Sequence, residues 1–206
     1  MIAIVPVNTP ERGKRRLASA FSSHEREALV RAMLTDVVAA CRAAPAVEEV
    51  LVVSPDPTLA PAGCTVLIDD GRGHAAALER ALEQVLPHRG ALVVMADCPL
   101  VEAATLDRLA NSGAPVAVGP AQDGGTNALA LRPADVIEPA FGLINGAQLV
   151  AERANAAGVD LEIIRNERLE LDLDTLEDAR RISEIDSDTA TQRLLATLLQ
   201  SSTRAR

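Results

Sequence analysis

Val93-Val94-Met95-Ala96-Asp97-Cys98-Pro99-Leu100 is an apolar run of strand length that ends on a single carboxylate, with a proline two residues further on. A segment apolar at every position reads as a strand buried on both faces, the mark of a parallel sheet covered by helices. Open sheets of that kind bind ligands where loops leave the C-terminal ends of the strands. Asp97 falls at such an end, and its oxygens are the hard donors that a divalent cation such as Mg²⁺ prefers. The competing structural reading makes Asp97 the cap of a helix starting near Glu102, or the first residue of an Asp-x-Pro turn.

The rest of the chain surrounds this strand with a regular alternation. Ile2 to Val7 reads as a buried strand and residues 8–22 as a long polar loop. Ser22 or Ser23 can cap a helix running to about Arg42, with Glu25 and Glu27 favourable at its N-terminal dipole. Val50 to Val53 and Val66 to Ile68 are short strands, and a helix from about His74 to Leu86 precedes the strand ending at Asp97. A helix over Thr105 to Ala110, strands over Val116 to Val118 and Ala128 to Leu131, a helix over about Gln148 to Ala157 and a strand over Leu161 to Ile164 follow. Thr175 opens a capped helix to Ile185, and a last helix covers about Asp188 to Leu199. Strand and helix alternate almost throughout, so the fold class is α/β, a mostly parallel sheet with helices on both faces. Leu194, Leu195, Leu198 and Leu199 of the last helix can pack on the domain or on a second subunit, which leaves a homodimer open.

Composition narrows the partners. The chain has 206 residues, 48% of them hydrophobic, and no Pro/Gly/Ser-rich linker, so one domain over 1–206 is expected, with 186–206 an appended helix and tail. Met1 to Val7 lacks a basic leader, and no apolar run approaches the roughly 18 residues of a membrane span. A soluble, cytoplasmic protein is expected. Cys41, Cys64 and Cys98 are widely spaced and read as small buried hydrophobes rather than a disulfide or zinc framework. A net charge of −9 argues against nucleic acid as a partner. Positive charge is local, at Arg12, Lys14, Arg15 and Arg16. Phe21 and Phe141 are the only aromatic residues, so a bound base would be held by backbone contacts and apolar packing.

Four segments can carry chemistry. The basic loop from Val7 to Leu17 leaves the first strand and can wrap a polyphosphate, with Lys14 as a point charge and Arg16 as a bidentate fork. It has neither the Walker A spacing nor the Gly-x-Gly-x-x-Gly of a dinucleotide fold. Asp123-Gly124-Gly125-Thr126-Asn127 offers close backbone approach, a hydroxyl and an amide, or else only a tight turn. Leu171-Asp172-Leu173-Asp174 alternates with period two, so both carboxylates project from one face and, with Asp97, could hold one or two divalent ions. Asp174 is also expected to be the N-cap of the helix beginning at Thr175. Asp69-Asp70-Gly71-Arg72-Gly73-His74 is a glycine-containing loop before a helix, where free N–H groups can receive a base edge or a phosphate. His24 and His88 have no Ser or Cys partner, so a hydrolase triad has no support.

Taken in order, Lys14-Arg15-Arg16-Leu17, Ala96-Asp97-Cys98-Pro99-Leu100, Gly124-Gly125-Thr126-Asn127-Ala128-Leu129 and Leu171-Asp172-Leu173-Asp174-Thr175-x-Glu177-Asp178 resemble the CofC/FbiD family over about residues 1–185. These are the 2-phospho-L-lactate and phosphoenolpyruvate guanylyltransferases of coenzyme F-420 biosynthesis. The resemblance implies a Rossmann-like nucleotidyltransferase domain that uses GTP and Mg²⁺ and releases pyrophosphate. The acceptor would be a small phosphorylated acid: 2-phospho-L-lactate, phosphoenolpyruvate or 3-phosphoglycerate. By the same resemblance Pro6, Val7, Lys14, Arg16, Asp70, Gly73 and Asp97 would bind the nucleotide. Asp97, Asp172 and Asp174 would hold the metal, with Lys14, Arg16 and Asp97 catalytic. Thr126, Gly142 and Asn145 would receive the acceptor. The chain departs from the family pattern at Asn8, His74-Ala75 and Phe141-Gly142-Leu143-Ile144-Asn145. The alternatives are a nucleotidyltransferase of the same fold with another phosphorylated acceptor, and a non-catalytic nucleotide-binding paralogue.

Overall fold

Ala91–Val94 forms β4, and all four residues are fully buried at the middle of a seven-stranded sheet. The computed structural model describes residues 1–9, 14–69, 74–85 and 90–204, and the features below are those of the described residues. Parallel strands build one side of the sheet outward from β4: β1 (Ile2–Pro6), β2 (Glu49–Ser54) and β3 (Thr65–Ile68). On the other side lie β6 (Thr126–Leu131), β5 (Val116–Pro120) and β7 (Leu161–Ile163), giving the order β3-β2-β1-β4-β6-β5-β7. Only β6 runs against the rest. It follows β5 through a five-residue hairpin in which Gly124 takes φ 89, and a connection so short can only return antiparallel.

Because side chains alternate across a strand, the sheet feeds two layers. Leu92, Val94, Ala128 and Ala130 face the side that carries α1 (Ser23–Ala43), α3 (Ala103–Ala110), α6 (Leu176–Glu184) and α7 (Ala190–Arg204). Ala91 and Val93 face α2 (His74–Gln84), while Val116, Val118, Leu129 and Leu131 face α4 (Gly146–Ala157). The sheet is thus mixed and mostly parallel, covered on both faces.

Most differences from the sequence reading are of one to three residues at element ends. Two are larger. The polar loop over 8–22 is anchored in its second half, because a 3-10 turn at Arg15–Leu17 sends Leu17 into the core and Phe21 follows it. A short helix, α5 (Glu167–Glu170), also lies where the sequence pattern assigns no element. Asn166 starts it, its side-chain oxygen accepting from the backbone N–H of Arg168 and Leu169. Gly119 on β5 makes room for Leu169, with which any Cβ there would collide. The seating of α5 matters because the next residues are Leu171 to Asp174.

Ser22 caps α1 and is joined by Glu25 in a reciprocal capping box. The last helix packs on its own chain, against α1 and α6. Cys41 and Cys98 are buried as expected, but Cys64 is only half-buried, its sulfur 3.2 Å from an Arg42 nitrogen. No helix among the described residues is long and apolar enough to cross a membrane.

Candidate active site

The C-terminal edge of the sheet gathers three distant segments. Asp97 lies in the turn that leaves β4, Lys14 in the loop that leaves β1, and Asp172 and Asp174 in the extended link from α5 to α6. That link is not a strand, yet its alternation persists: Leu171 and Leu173 are buried while the aspartates face the cluster. A bond from the Leu173 N–H to the Asp97 carbonyl, 2.9 Å, ties the link to the end of β4.

Lys14 joins the cluster electrostatically. Its ammonium donates to Asp97 Oδ2 at 2.7 Å and to Asp174 Oδ1 at 2.8 Å. Burial alone would discourage a charge on Lys14, but the two carboxylates outweigh it and hold the ammonium above the ordinary lysine pKa. Lys14 is also the one non-glycine described residue in the left-handed region, with φ 52. That conformation costs an L-residue about 1–2 kcal/mol. Asp174 remains partly buried, and Lys14 and then Arg16 outweigh the burial to pull its pKa below the usual carboxylate value. Arg16 itself is largely exposed, 3.9 Å from Asp174.

Asp172 makes no ion pair among the described residues. Burial, then the negative charges of Asp97 and Asp174, push its pKa up to about 6. Ligand oxygens of Asp97, Asp172 and Asp174 lie within 4.8 Å of one another, a group able to hold a metal ion. The donor set is all oxygen, and a cation, the Lys14 ammonium, already finds a seat between two of its members. Both facts fit a hard divalent ion.

Two structural roles considered for these aspartates give way. The helix after Asp97 starts at Ala103 with Glu102 as its cap, and the Asp97 carboxylate is engaged by Lys14. The N-cap of α6 is Thr175 rather than Asp174, because the Thr175 hydroxyl accepts from Asp178 N–H in a capping box. Asp174 is left free to turn toward Lys14.

Beside the cluster is a cavity of about 330 Å³ lined by Pro6, Val7, Lys14, Arg16, Asp97 and Asp174, and closed by Val30, Met33 and Met95. Val30 and Met33 were not legible as site residues, since on α1 they follow the ordinary pattern of core positions. On the far side of the carboxylates, Arg16, Gln122, Asp123, Asp172 and Asp174 share a smaller hollow of about 220 Å³. Asp70 and Gly73 lie outside the described residues, as do Arg12 and His88.

The β5–β6 hairpin meets the start of α4. Ala147 N–H donates to the Gly124 carbonyl at 3.2 Å, and Gly146 packs so closely that a Cβ would come 3.0 Å from Thr126 Oγ1. Thr126 is buried and its hydroxyl lacks a hydrogen-bond partner among the described residues. Asn145 precedes α4 without capping it through its side chain, and Gly142 is exposed at φ 73. Asn127 is not a ligand group: its buried amide donates to the Leu169 carbonyl at 2.9 Å and holds α5 against β6.

A carboxylate cluster with a lysine, set at the C-terminal edge of an α/β sheet beside a nucleotide-sized cavity, is the arrangement of a nucleotide-dependent transferase. The fold is similar to that of a solved putative nucleotide-diphospho-sugar transferase from Desulfovibrio desulfuricans G20, with a TM-score of 0.77, 18% identity, and coverage of 98% of this chain and 96% of that one. The family model described as guanylyl transferase CofC like matches residues 1–203; the chain belongs to this family and is a nucleotidyltransferase. Among its relatives are a phosphoenolpyruvate guanylyltransferase of Sphaerobacter thermophilus, 38% identical over 88% of this chain and 92% of the relative. Another is a 2-phospho-L-lactate guanylyltransferase of Methanothermobacter thermautotrophicus, 34% identical over 87% and 82% respectively.

Proposed function

We propose that this protein transfers GMP from GTP to the phosphate of a small phosphorylated carboxylic acid, of the kind used in coenzyme F-420 biosynthesis, and releases pyrophosphate. Phosphoenolpyruvate and 2-phospho-L-lactate, the acceptors named in its relatives, are the first candidates. The observation that carries the reading is the convergence of Lys14, Asp97, Asp172 and Asp174 beside the 330 Å³ cavity. GTP lies in that cavity with its base end against Val30, Met33 and Met95, and the family resemblance adds Asp70 and Gly73, outside the described residues, as nucleotide-binding residues. Lys14 and Arg16 receive the triphosphate, whose leaving end gains charge during the reaction.

Asp97, Asp172 and Asp174 would hold Mg²⁺, which when bound would neutralise phosphate charge. An oxygen of the acceptor phosphate attacks the α-phosphorus of GTP. As that bond forms, the bond from the α-phosphorus to the bridging oxygen breaks and pyrophosphate departs. The attacking phosphate is already anionic, so no base is needed and the site works by alignment and electrostatics. For the acceptor carboxylate, the Thr126 hydroxyl, without a hydrogen-bond partner among the described residues, is the donor, with Gly142 and Asn145 beside it ahead of α4, whose dipole favours an anion.

The half-exposed Leu143 and the exposed Ile144 beside this end favour a second reading, a phosphorylated acceptor with a larger apolar portion. Pyrophosphate release from GTP and Mg²⁺ with phosphoenolpyruvate, 2-phospho-L-lactate and 3-phosphoglycerate in turn tests the assignment. Turnover with one of them is expected. Silence with all three, and activity with a bulkier phosphorylated metabolite, would move the chain to the second reading.

A further inference from the structure

Among the twenty Lys and Arg residues of this chain, Lys14 is the only lysine. It is also the one placed between Asp97 and Asp174, with N···O distances of 2.7 and 2.8 Å. The choice has a physical sense. An ammonium is a compact cation that can sit at a point between two carboxylate oxygens, whereas a guanidinium is a planar fork. Asp97 and Asp174 are at the same time two of the three residues whose oxygens converge within 4.8 Å. A divalent ion drawing on those carboxylates meets the ammonium at contact distance, where two positive charges repel strongly.

The backbone at Lys14 is suited to letting go. It is in the left-handed region at the start of a three-residue 3-10 turn, where its carbonyl accepts from the Leu17 N–H at 3.1 Å and its side chain, turned to the carboxylates, gives the turn no cap. Strain of this kind persists only while surrounding contacts enforce it, and among the described residues the two ion pairs are the polar contacts that the buried side chain makes. The ammonium also faces the cavity that Arg16, Pro6 and Val7 line, so a short swing carries it toward a bound phosphate.

We propose that Lys14 is a displaceable internal counter-ion. Its ammonium and the divalent cation are alternative occupants of Asp97 and Asp174, and cation entry moves Lys14 off the carboxylates and onto the nucleotide phosphates. The inference rests on the metal reading of the three aspartates. It adds an order to the site, cation first and lysine–phosphate contact second, and it keeps the carboxylates neutralised until then.

The single lysine makes the test specific, because a tag-free chain has just two amines to acylate, Lys14 and the Met1 α-amine. Met1 serves as the internal reference. The folded protein is treated with limiting acetic anhydride with and without Mg²⁺, and the Lys14-to-Met1 labelling ratio is read by mass spectrometry, while calorimetry follows Mg²⁺ binding. The ratio is expected to rise at least about tenfold as Mg²⁺ saturates, since a displaced lysine is more exposed and more easily deprotonated, and to fall again when GTP is added. An unchanged ratio where calorimetry shows binding overturns the displacement and leaves the metal site standing. Absence of Mg²⁺ binding at millimolar concentration overturns both. A ratio that stays high with GTP overturns the transfer of Lys14 to phosphate. In a second arm, Lys14→Met removes the competitor and is expected to bind Mg²⁺ at least about tenfold more tightly. Equal or weaker binding by the folded variant would show that Lys14 and the cation do not compete.

Discussion

Asp97→Asn keeps the size of the side chain and one acceptor oxygen while deleting its charge, so it separates the chemical role of this residue from any role in the turn. The turn itself rests on backbone bonds from Cys98 to Met95 and from Val101 to Cys98, which the substitution leaves alone. Circular dichroism should therefore be unchanged. Guanylyl transfer should fall at least about 10²-fold, because a charge clamp on a transferring phosphoryl group is worth several kcal/mol. Near-normal turnover at limiting Mg²⁺ would return Asp97 to a structural residue. Asp172 gives a pH signature. Burial, then the charges of Asp97 and Asp174, push its carboxyl up to about 6 in the folded chain from the ordinary 3.8, so the native state holds this proton more tightly than the unfolded state does. By linkage its ionisation destabilises the fold fully above pH 6, and the penalty is relieved as pH falls from about 6 toward 4. A metal needs the ionised form, so binding should run the other way. Calorimetry with Mg²⁺ is expected to give weaker binding below pH 6, with up to one proton released per ion. Asp172→Asn should raise Tm at pH 8 while losing metal affinity; a variant that does neither would mean the burial penalty is not felt in solution.

Elements differed in how far their sequence announced them. The buried strands and α1 were legible because a continuous apolar run, or a Ser22–Glu25 capping box, is a local signal. The 3-10 turn at Arg15–Leu17 and the four-residue α5 were not, because each is held by tertiary contacts: Leu17 in the core, Leu169 against Gly119. The aspartates of the site could be read from the Leu-Asp alternation, whereas Val30 and Met33 could not be told from any buried helix positions. The last helix illustrates a signal split between elements. Its N-terminus is capped from α1, where Asp36 accepts from the N–H of Ala190 and Thr191, each at 2.8 Å, and from the Thr191 hydroxyl at 2.6 Å. Nothing in the sequence around residue 190 marks a partner 154 positions away. Removing a side-chain cap destabilises by about 0.5–2 kcal/mol, so Asp36→Ala should lower the chemical-denaturation free energy by about that amount with turnover preserved. An unaltered unfolding midpoint would show that α7 is held by its apolar face alone.

At the scale of the molecule, the site exists only in the native chain, because Lys14 meets partners 83 and 160 residues away in sequence. The unfolded chain has no comparable grouping of carboxylates, lysine and apolar wall, so nucleotide binding translates directly into stability. For a ligand that binds only the folded state, a free concentration of 100 times Kd adds about 2.7 kcal/mol. In a domain of this size each kcal/mol raises Tm by about 2–4 °C, so a shift of about 5–10 °C is expected for the preferred nucleotide. Triphosphate contacts are common to GTP and ATP and cannot discriminate between them. Selectivity must come from the base end, which this chain builds without Trp or Tyr. In the proposed placement, backbone groups beside the apolar wall of Val30, Met33 and Met95 would have to read the purine. GTP with Mg²⁺ is accordingly expected to raise Tm more than ATP with Mg²⁺ at the same concentration, as followed by differential scanning fluorimetry. Since both nucleotides present the same phosphates to Lys14 and Arg16, equal shifts would leave the phosphate site intact and remove guanine from the assignment. Absence of any shift would mean that the cavity does not hold a nucleotide.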